Sequence, residues 1–199
     1  EARSHTRRLE PMINGLLDQA GLRLADLDAL AYGAGPGSFT GLRVTAGLVQ
    51  GLAFGLRLPV VPVSSLRAMA HAIHGRLAAP STVAVARDAR MEELYWGLYR
   101  VTPRGSVEVE VPDSLVSPAD LELPATVGDC LGIGDGWLLR DRMPPAVLSG
   151  MVEIIPAVAP EATAIARLAD ALYQQGEWVG AEAVQPVYLR DDVAWQTGA

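Results

Sequence analysis

The sequence contains no lysine: all 16 of its basic residues are arginine. That absence removes a Walker A phosphate lysine, a Schiff-base lysine and a kinase-type lysine from consideration. Cysteine is almost as scarce. With Cys130 alone, neither an intrachain disulfide nor a cysteine-based metal cluster is available, and a reducing compartment is the natural setting. Positive charge is also in deficit, the formal net charge being −7. Autonomous nucleic-acid binding needs a basic footprint that such a chain lacks. The nearest approach to a basic run, Arg3, Arg7 and Arg8, reads as a solvated helix face. No apolar run reaches the ~20 residues of a membrane span. The most apolar one, residues 44–58, contains Gln50 and Arg57 and stops at Pro59. The opening Glu-Ala-Arg-Ser-His has no apolar leader core, and the expected location is cytoplasmic.

What is present is a chain of 199 residues, half of them hydrophobic, enough for one large domain or two small ones. Leu9, Met12, Ile13, Leu16, Leu17 and Ala20 recur at helical spacing, with Gly21 as a stop signal and Pro11 expected to kink the helix or shorten its first turn. Residues 27–34 read as a strand. A second helix is expected over 40–56, capped by Ser38 or Thr40 and ended by Pro59, and "PVVPVSSL" reads as a short buried strand. Helical patterning resumes weakly over 65–77. Helix, strand, loop, helix, strand implies an α/β layer. Beyond a soft boundary at 79–82, "VAVARDA" and "ELYWGLYRV" suggest a hairpin, and the alternation of "VEVEV" adds a strand. "SPADL" carries helix-start signals at Ser117 and Pro118. A last helix places Ile165, Leu168, Ala169 and Leu172 on one face.

The loop "YGAGPGSFTGLR" invites a phosphate or a nucleophile. Around Ser38 the flanking positions are Pro36 and Thr40, which is no nucleophile elbow. Gly35, Gly37 and Gly41 have the wrong spacing for a dinucleotide fingerprint. A backbone anion cradle at a helix start and a plain capped strand-to-helix turn both fit. In the helix that follows, Gly47, Gly51 and Gly55 recur every fourth residue. Each costs about 1 kcal/mol inside a helix. A bare ridge is compensated when another helix approaches closely, from this chain or from another.

Together these stretches closely resemble the TsaB (YeaZ) family. The long block from Ser4 to Leu66 carries the resemblance, and "DARMEELYWGLY", "GIGDGW" and "PVYLRDDVAW" follow in the family's order. The resemblance implies an actin/Hsp70-like (ASKHA) α/β fold of two RNase H-like lobes: residues 1–80, with the partner-binding helices, and residues 81–199, whose last segment packs back toward the lobe interface. The family pattern opens with a strand hairpin bearing an Asp-Thr phosphate-contact sequence. This sequence opens just before its first helix, so the first strands of that lobe are expected to be missing from it.

The resemblance further implies a non-catalytic scaffold and activator in the threonylcarbamoyl transfer to adenosine 37 of tRNA. The implied partners are the TsaD catalytic subunit and the TsaE ATPase, with a homodimer when alone, no strong direct tRNA binding and no cofactor. Leu9, Met12, Ile13 and Leu16 together with Gly47, Gly51 and Gly55 would form the shared helical surface. Gly35, Pro36, Gly37, Ser38, Thr40, Gly41, Arg43, Asp88, Arg90, Gly134 and Gly136 would line the loop and cleft, without catalytic residues. Where TsaD carries two metal-ligating histidines, this sequence has Ser65 and Met69. His71 and His74 share a helix face, but two imidazoles fall short of a metal ligand set, and His5 stands apart. Arg190, Asp191 and Asp192 read as structural. The rival reading is a weak ATPase or a peptidase-like hydrolase of the same superfamily.

Overall fold

The computed structural model describes residues 4–190, with side chains from residue 8 onward. His5, Arg3 and Arg7, and Asp191 and Asp192, fall outside the residues or side chains described.

The first helix, α1 (Ser4–Ala20), runs through Pro11 and ends at Gly21. Strand β1 (Leu30–Gly35) leads through the glycine loop into α2 (Phe39–Leu56), and β2 (Val60–Ser64) returns parallel to β1. These two strands make one sheet. The far edge of β2 is bridged at Val60 by Val179, while β1 has no second strand partner among the described residues. Helix α3 (Ser65–Ala72) then crosses to a five-stranded sheet.

That sheet is ordered β5-β4-β3-β6-β7, from β3 (Ser81–Arg90), β4 (Glu93–Val101), β5 (Val107–Val116), β6 (Cys130–Ile133) and β7 (Met151–Ile155). β3, β4 and β5 form the expected antiparallel meander, and β6 and β7 extend it in parallel. Two short pieces, a 3₁₀ stretch over Asp135–Arg142 and α4 (Pro145–Ser149), separate β6 from β7. Helix α5 (Ala162–Gln174) closes the regular structure.

Central β3 explains its own sequence. Val83 and Val85 face α3 and α5, among Leu66, Met69 and Leu168. Ala84 and Ala86 point the other way, toward Trp96, Leu98 and Trp137. Both faces are covered, so the strand is continuously apolar. The alanines are small because the indole of Trp137 lies over them and donates to the Ala84 carbonyl at 3.1 Å.

Three expectations change. The helix anticipated at Ser117 is one 3₁₀ turn, Pro118–Asp120, because "LELP" behind it offers no second turn of apolar spacing. The pattern over 65–77 stops at Ala72 and continues as a 3₁₀ turn, His74–Arg76. The glycine-rich "GIGDGW" begins as strand β6.

Candidate functional site

The residues singled out by sequence fall into two places: the outward faces of α1 and α2, and the mouth where the loop after β1 meets the ends of β3 and β6.

On the helical face, Leu9 and Ile13 are half-buried, while Met12 is 55% and Leu16 is 64% exposed. Helix α2 turns Leu42, Ala46 and Ala53 inward, and Gln50 donates to the Ala181 carbonyl at 2.9 Å. Gly47, Gly51 and Gly55 turn outward, and a Cβ at any of them would meet nothing within 4 Å. Among the described residues, nothing packs directly on the ridge. Ile13 and Asn14 of α1 border a groove of about 320 Å³ beside Gly47 and Gly51. Phe54 stands 81% exposed on the same helix. By length and composition α2 would also serve as a membrane span, which the shorter run read from sequence did not suggest. Its inner face is nevertheless fitted to β1 and the C-terminal segment.

A larger apolar groove, about 870 Å³, lies between α1, α2 and α5 along β1, floored by Leu30, Tyr32 and Val61. The Tyr32 hydroxyl donates to the Gln185 carbonyl at 2.8 Å, and the Val187 amide donates to the Ala34 carbonyl at 2.8 Å. The C-terminal segment is thus laced to β1.

At the mouth, Gly35 and Pro36 are joined by a cis peptide and both are buried. Ser38 caps α2, its Oγ accepting from the Gly41 amide at 3.4 Å. Thr40 is exposed. Arg43 is held by aromatic rings: its guanidinium lies 4.0 Å from the Phe39 ring centre, and its Nε donates to the Tyr188 hydroxyl at 3.0 Å. Gly37 faces Arg87, at 3.6 Å from a Cβ to Nη1. The Asp88 amide donates to Asp135 Oδ1 at 3.0 Å, tying β3 to the segment after β6. Asp88 in turn accepts from the Arg90 amide at 2.8 Å and pairs with its guanidinium at 3.1 Å.

Arg90, Met91 and Glu92 all hold left-handed backbone, and Arg190 braces that turn through Glu93 at 2.5 Å and the Ala89 carbonyl at 3.3 Å. Sequence could flag neither Arg190 to Glu93 nor Tyr188 to Arg43, because each pair is separated by about half the chain or more. Gly134 has φ +100°, and a Cβ there would run into the Ala86 carbonyl. Gly136 packs on the same peptide. Close approach to β3, with no room for a side chain, accounts for both glycines.

The chemistry on offer at the mouth is limited. The Ser38 hydroxyl is engaged in capping, and no imidazole or carboxylate hydrogen-bonds to it among the described residues. Cys130 is buried, and burial, then Glu110 and Asp129, push its thiol up to about 11, so it stays protonated. No three His, Cys, Asp or Glu side chains gather as a metal-ligand set among the described residues. His71 and His74 do adjoin, ring centres 4.5 Å apart.

Comparisons with known proteins agree with one another. A family model described as TsaD: tRNA N6-adenosine threonylcarbamoyltransferase matches residues 1–128. The Escherichia coli (strain K12) protein named tRNA threonylcarbamoyladenosine biosynthesis protein TsaB is 36% identical over 200 residues, covering 98% of this chain and 84% of its own. The Haemophilus influenzae protein of the same name is 38% identical over 202 residues, covering 98% and 83%. Among solved structures, YeaZ from Pseudomonas aeruginosa superposes with a TM-score of 0.83 at 39% identity, over 92% of this chain and 85% of that one. Another Pseudomonas aeruginosa structure, described as an uncharacterized protein with similarity to peptidase YEAZ, gives 0.84 at 40% identity, over 94% and 84%. The fold is that α/β fold, of the actin/Hsp70-like class.

Proposed function

Because this chain belongs to the TsaB (YeaZ) family, named for tRNA threonylcarbamoyladenosine biosynthesis, we propose that it is a non-catalytic subunit of that cytoplasmic pathway. In this reading the outward face of α1 and α2 binds the TsaD catalytic subunit and TsaE is engaged as well. The same face closes a homodimer when TsaD is absent. Residues 1–80 and 81–199 act as the two lobes of the scaffold.

The observation that carries the reading is the glycine ridge. Three helix-interior glycines are costly unless something exploits them. Gly47, Gly51 and Gly55 have open space where their side chains would begin, on a helix that also carries the exposed Phe54, while Met12 and Leu16 are exposed on α1. A bare ridge beside apolar knobs suits the close approach of a partner helix. The contribution to catalysis is then differential affinity. A subunit that binds the active conformation of TsaD more tightly than the inactive one raises its population. The hydrolase alternative finds less support, since Ser38 serves α2 as its cap.

Gly51→Leu separates binding from folding. A Cβ at Gly51 meets nothing within 4 Å, and the rest of the leucine extends toward the open groove beside it. Replacing an exposed helix glycine should stabilise that chain by roughly 0.5–1 kcal/mol. Titration calorimetry with TsaD should nevertheless show affinity falling at least about tenfold, by the cost of overpacking a close helix contact. Unchanged affinity would remove the face from the assignment.

A further inference from the structure

Three elements converge around a polar cavity of about 610 Å³. Helix α3 contributes Arg67 and His71, and His74 follows in the next turn. The β4–β5 turn contributes Arg104 and Glu108. Helix α5 contributes Arg167 and Asp170. Three arginines and two imidazoles thus face two carboxylates, in a chain whose net charge is −7.

The positive groups are left available. None of the three arginines is in an ion pair among the described residues. Arg67 donates from Nη2 to the Val107 carbonyl at 2.7 Å, which anchors its guanidinium, while its Nε is buried with no partner. His71 is only 5% exposed, and its ring makes no hydrogen bond among the described residues. His74 gives its Nδ1 to the His71 carbonyl at 2.8 Å, leaving Nε2 unassigned. The turn reaches the pair because Gly105 sits at φ +87°, where a Cβ would lie 3.0 Å from His71 Nε2. A side chain at Gly105 would crowd that imidazole.

We propose that this cavity is a binding site for a small phosphate-bearing anion, of pyrophosphate to nucleoside diphosphate size, held by Arg67, Arg104 and Arg167 and by the paired imidazoles. The volume is in the usual range for a small-molecule site. Guanidinium forks suit phosphate oxygens, and charge-assisted bonds of this kind are about twice as strong as neutral ones. Burial first, then His74 and Arg167, hold His71 below its ordinary value, which favours the neutral ring in the empty site. A bound anion offsets that repulsion, and protonation of His71 tightens binding as pH falls. Glu108 and Asp170 work in the opposite sense. Its lining includes none of Leu9, Met12, Ile13, Leu16 or the ridge glycines, and the inference does not rest on the proposed partner face.

The test is titration calorimetry of the folded chain with inorganic pyrophosphate, at constant ionic strength, at about pH 6 and about pH 8, either side of the ordinary histidine range. Saturable one-to-one binding is expected, at least severalfold tighter at the lower pH. Arg104→Ala and Arg167→Ala alter exposed side chains, and circular dichroism should confirm an unchanged fold. Each should weaken binding roughly tenfold, the loss of one charge-assisted contact. Asp170→Asn should tighten it severalfold. A parallel titration with a nucleoside diphosphate identifies which phosphate source binds more tightly, and citrate at matched charge should bind far more weakly. No saturable binding, binding by both arginine variants as tight as by the wild type, or preference for a single-stranded RNA over pyrophosphate would overturn the proposal.

Discussion

Asp113 is held by two hydroxyls inside the molecule. Ser64 donates to its Oδ2 at 2.5 Å, and the fully buried Tyr99 donates to its Oδ1. These bonds and nearby Arg67 favour the carboxylate, but burial outweighs them and raises its pKa above the ordinary 3.8. The sign of the consequence follows from linkage. The folded state holds this proton more tightly than the unfolded chain does. The favourable contribution is therefore complete below the unfolded value and is lost as pH rises through the folded one. Asp113→Asn removes this titration. Urea unfolding from about pH 4 to about pH 7 should show wild type losing ground to the variant as pH rises. A wild type that gains on the variant instead would mean that burial does not dominate this carboxylate. Nothing in the sequence announces the trio, because its members sit on β2, β4 and β5 and meet only after the sheet forms. The cationic cavity was hidden for the same reason: His71 and His74 were visible as a helical pair, but Arg104 and Arg167 reach them only through the tertiary fold.

At the scale of elements, helices were legible where apolar spacing and a stop signal agreed. The second helix, expected over 40–56 behind Ser38, is Phe39–Leu56 with Ser38 as its cap. The meander was legible from its alternation and polar turn. β6 and β7 were not. "CLGI" is a four-residue strand within a glycine-rich stretch, and "MVEII" has too few residues to establish a period. Their identity comes from pairing parallel to β3 and to each other, which no local pattern encodes.

The two serine caps differ in a way that can be measured. Ser64 starts α3 by accepting from the Leu66 and Arg67 amides at 3.1 Å each while donating to Asp113. Ser38 has a single acceptor bond of 3.4 Å at an exposed helix start. Cap removal costs about 0.5–2 kcal/mol, so Ser64→Ala should lie near the top of that range and Ser38→Ala near the bottom. Denaturant unfolding of the two variants checks the order. Equal losses would mean that the Ser64–Asp113 bond adds nothing to the cap.

For the whole molecule, the division of labour is between an inner face and an outer one. α3 and α5 bury their apolar sides against both sheets, from Val61 and Val63 of β2 to Val83 and Val85 of β3, and the C-terminal segment is laced to β1. The outward side of α2 buries little: Leu42, Ala46 and Ala53, its buried residues, all lie on the inner side. Apolar surface left beside a bare glycine ridge is what a shared interface requires before its partner arrives. Sequence could show the glycine spacing. Whether the ridge faced inward or outward depended on which side of α2 met β1, and the structure turns it outward.

The most direct test of the shared-face account is multi-angle light scattering of the chain alone, and of the chain mixed with increasing TsaD. The account predicts a homodimer at high concentration that gives way to a one-to-one complex as TsaD is added, with Gly51→Leu monomeric in both series. A complex in which the homodimer persists intact alongside bound TsaD would contradict it, because one face cannot serve both partners at once.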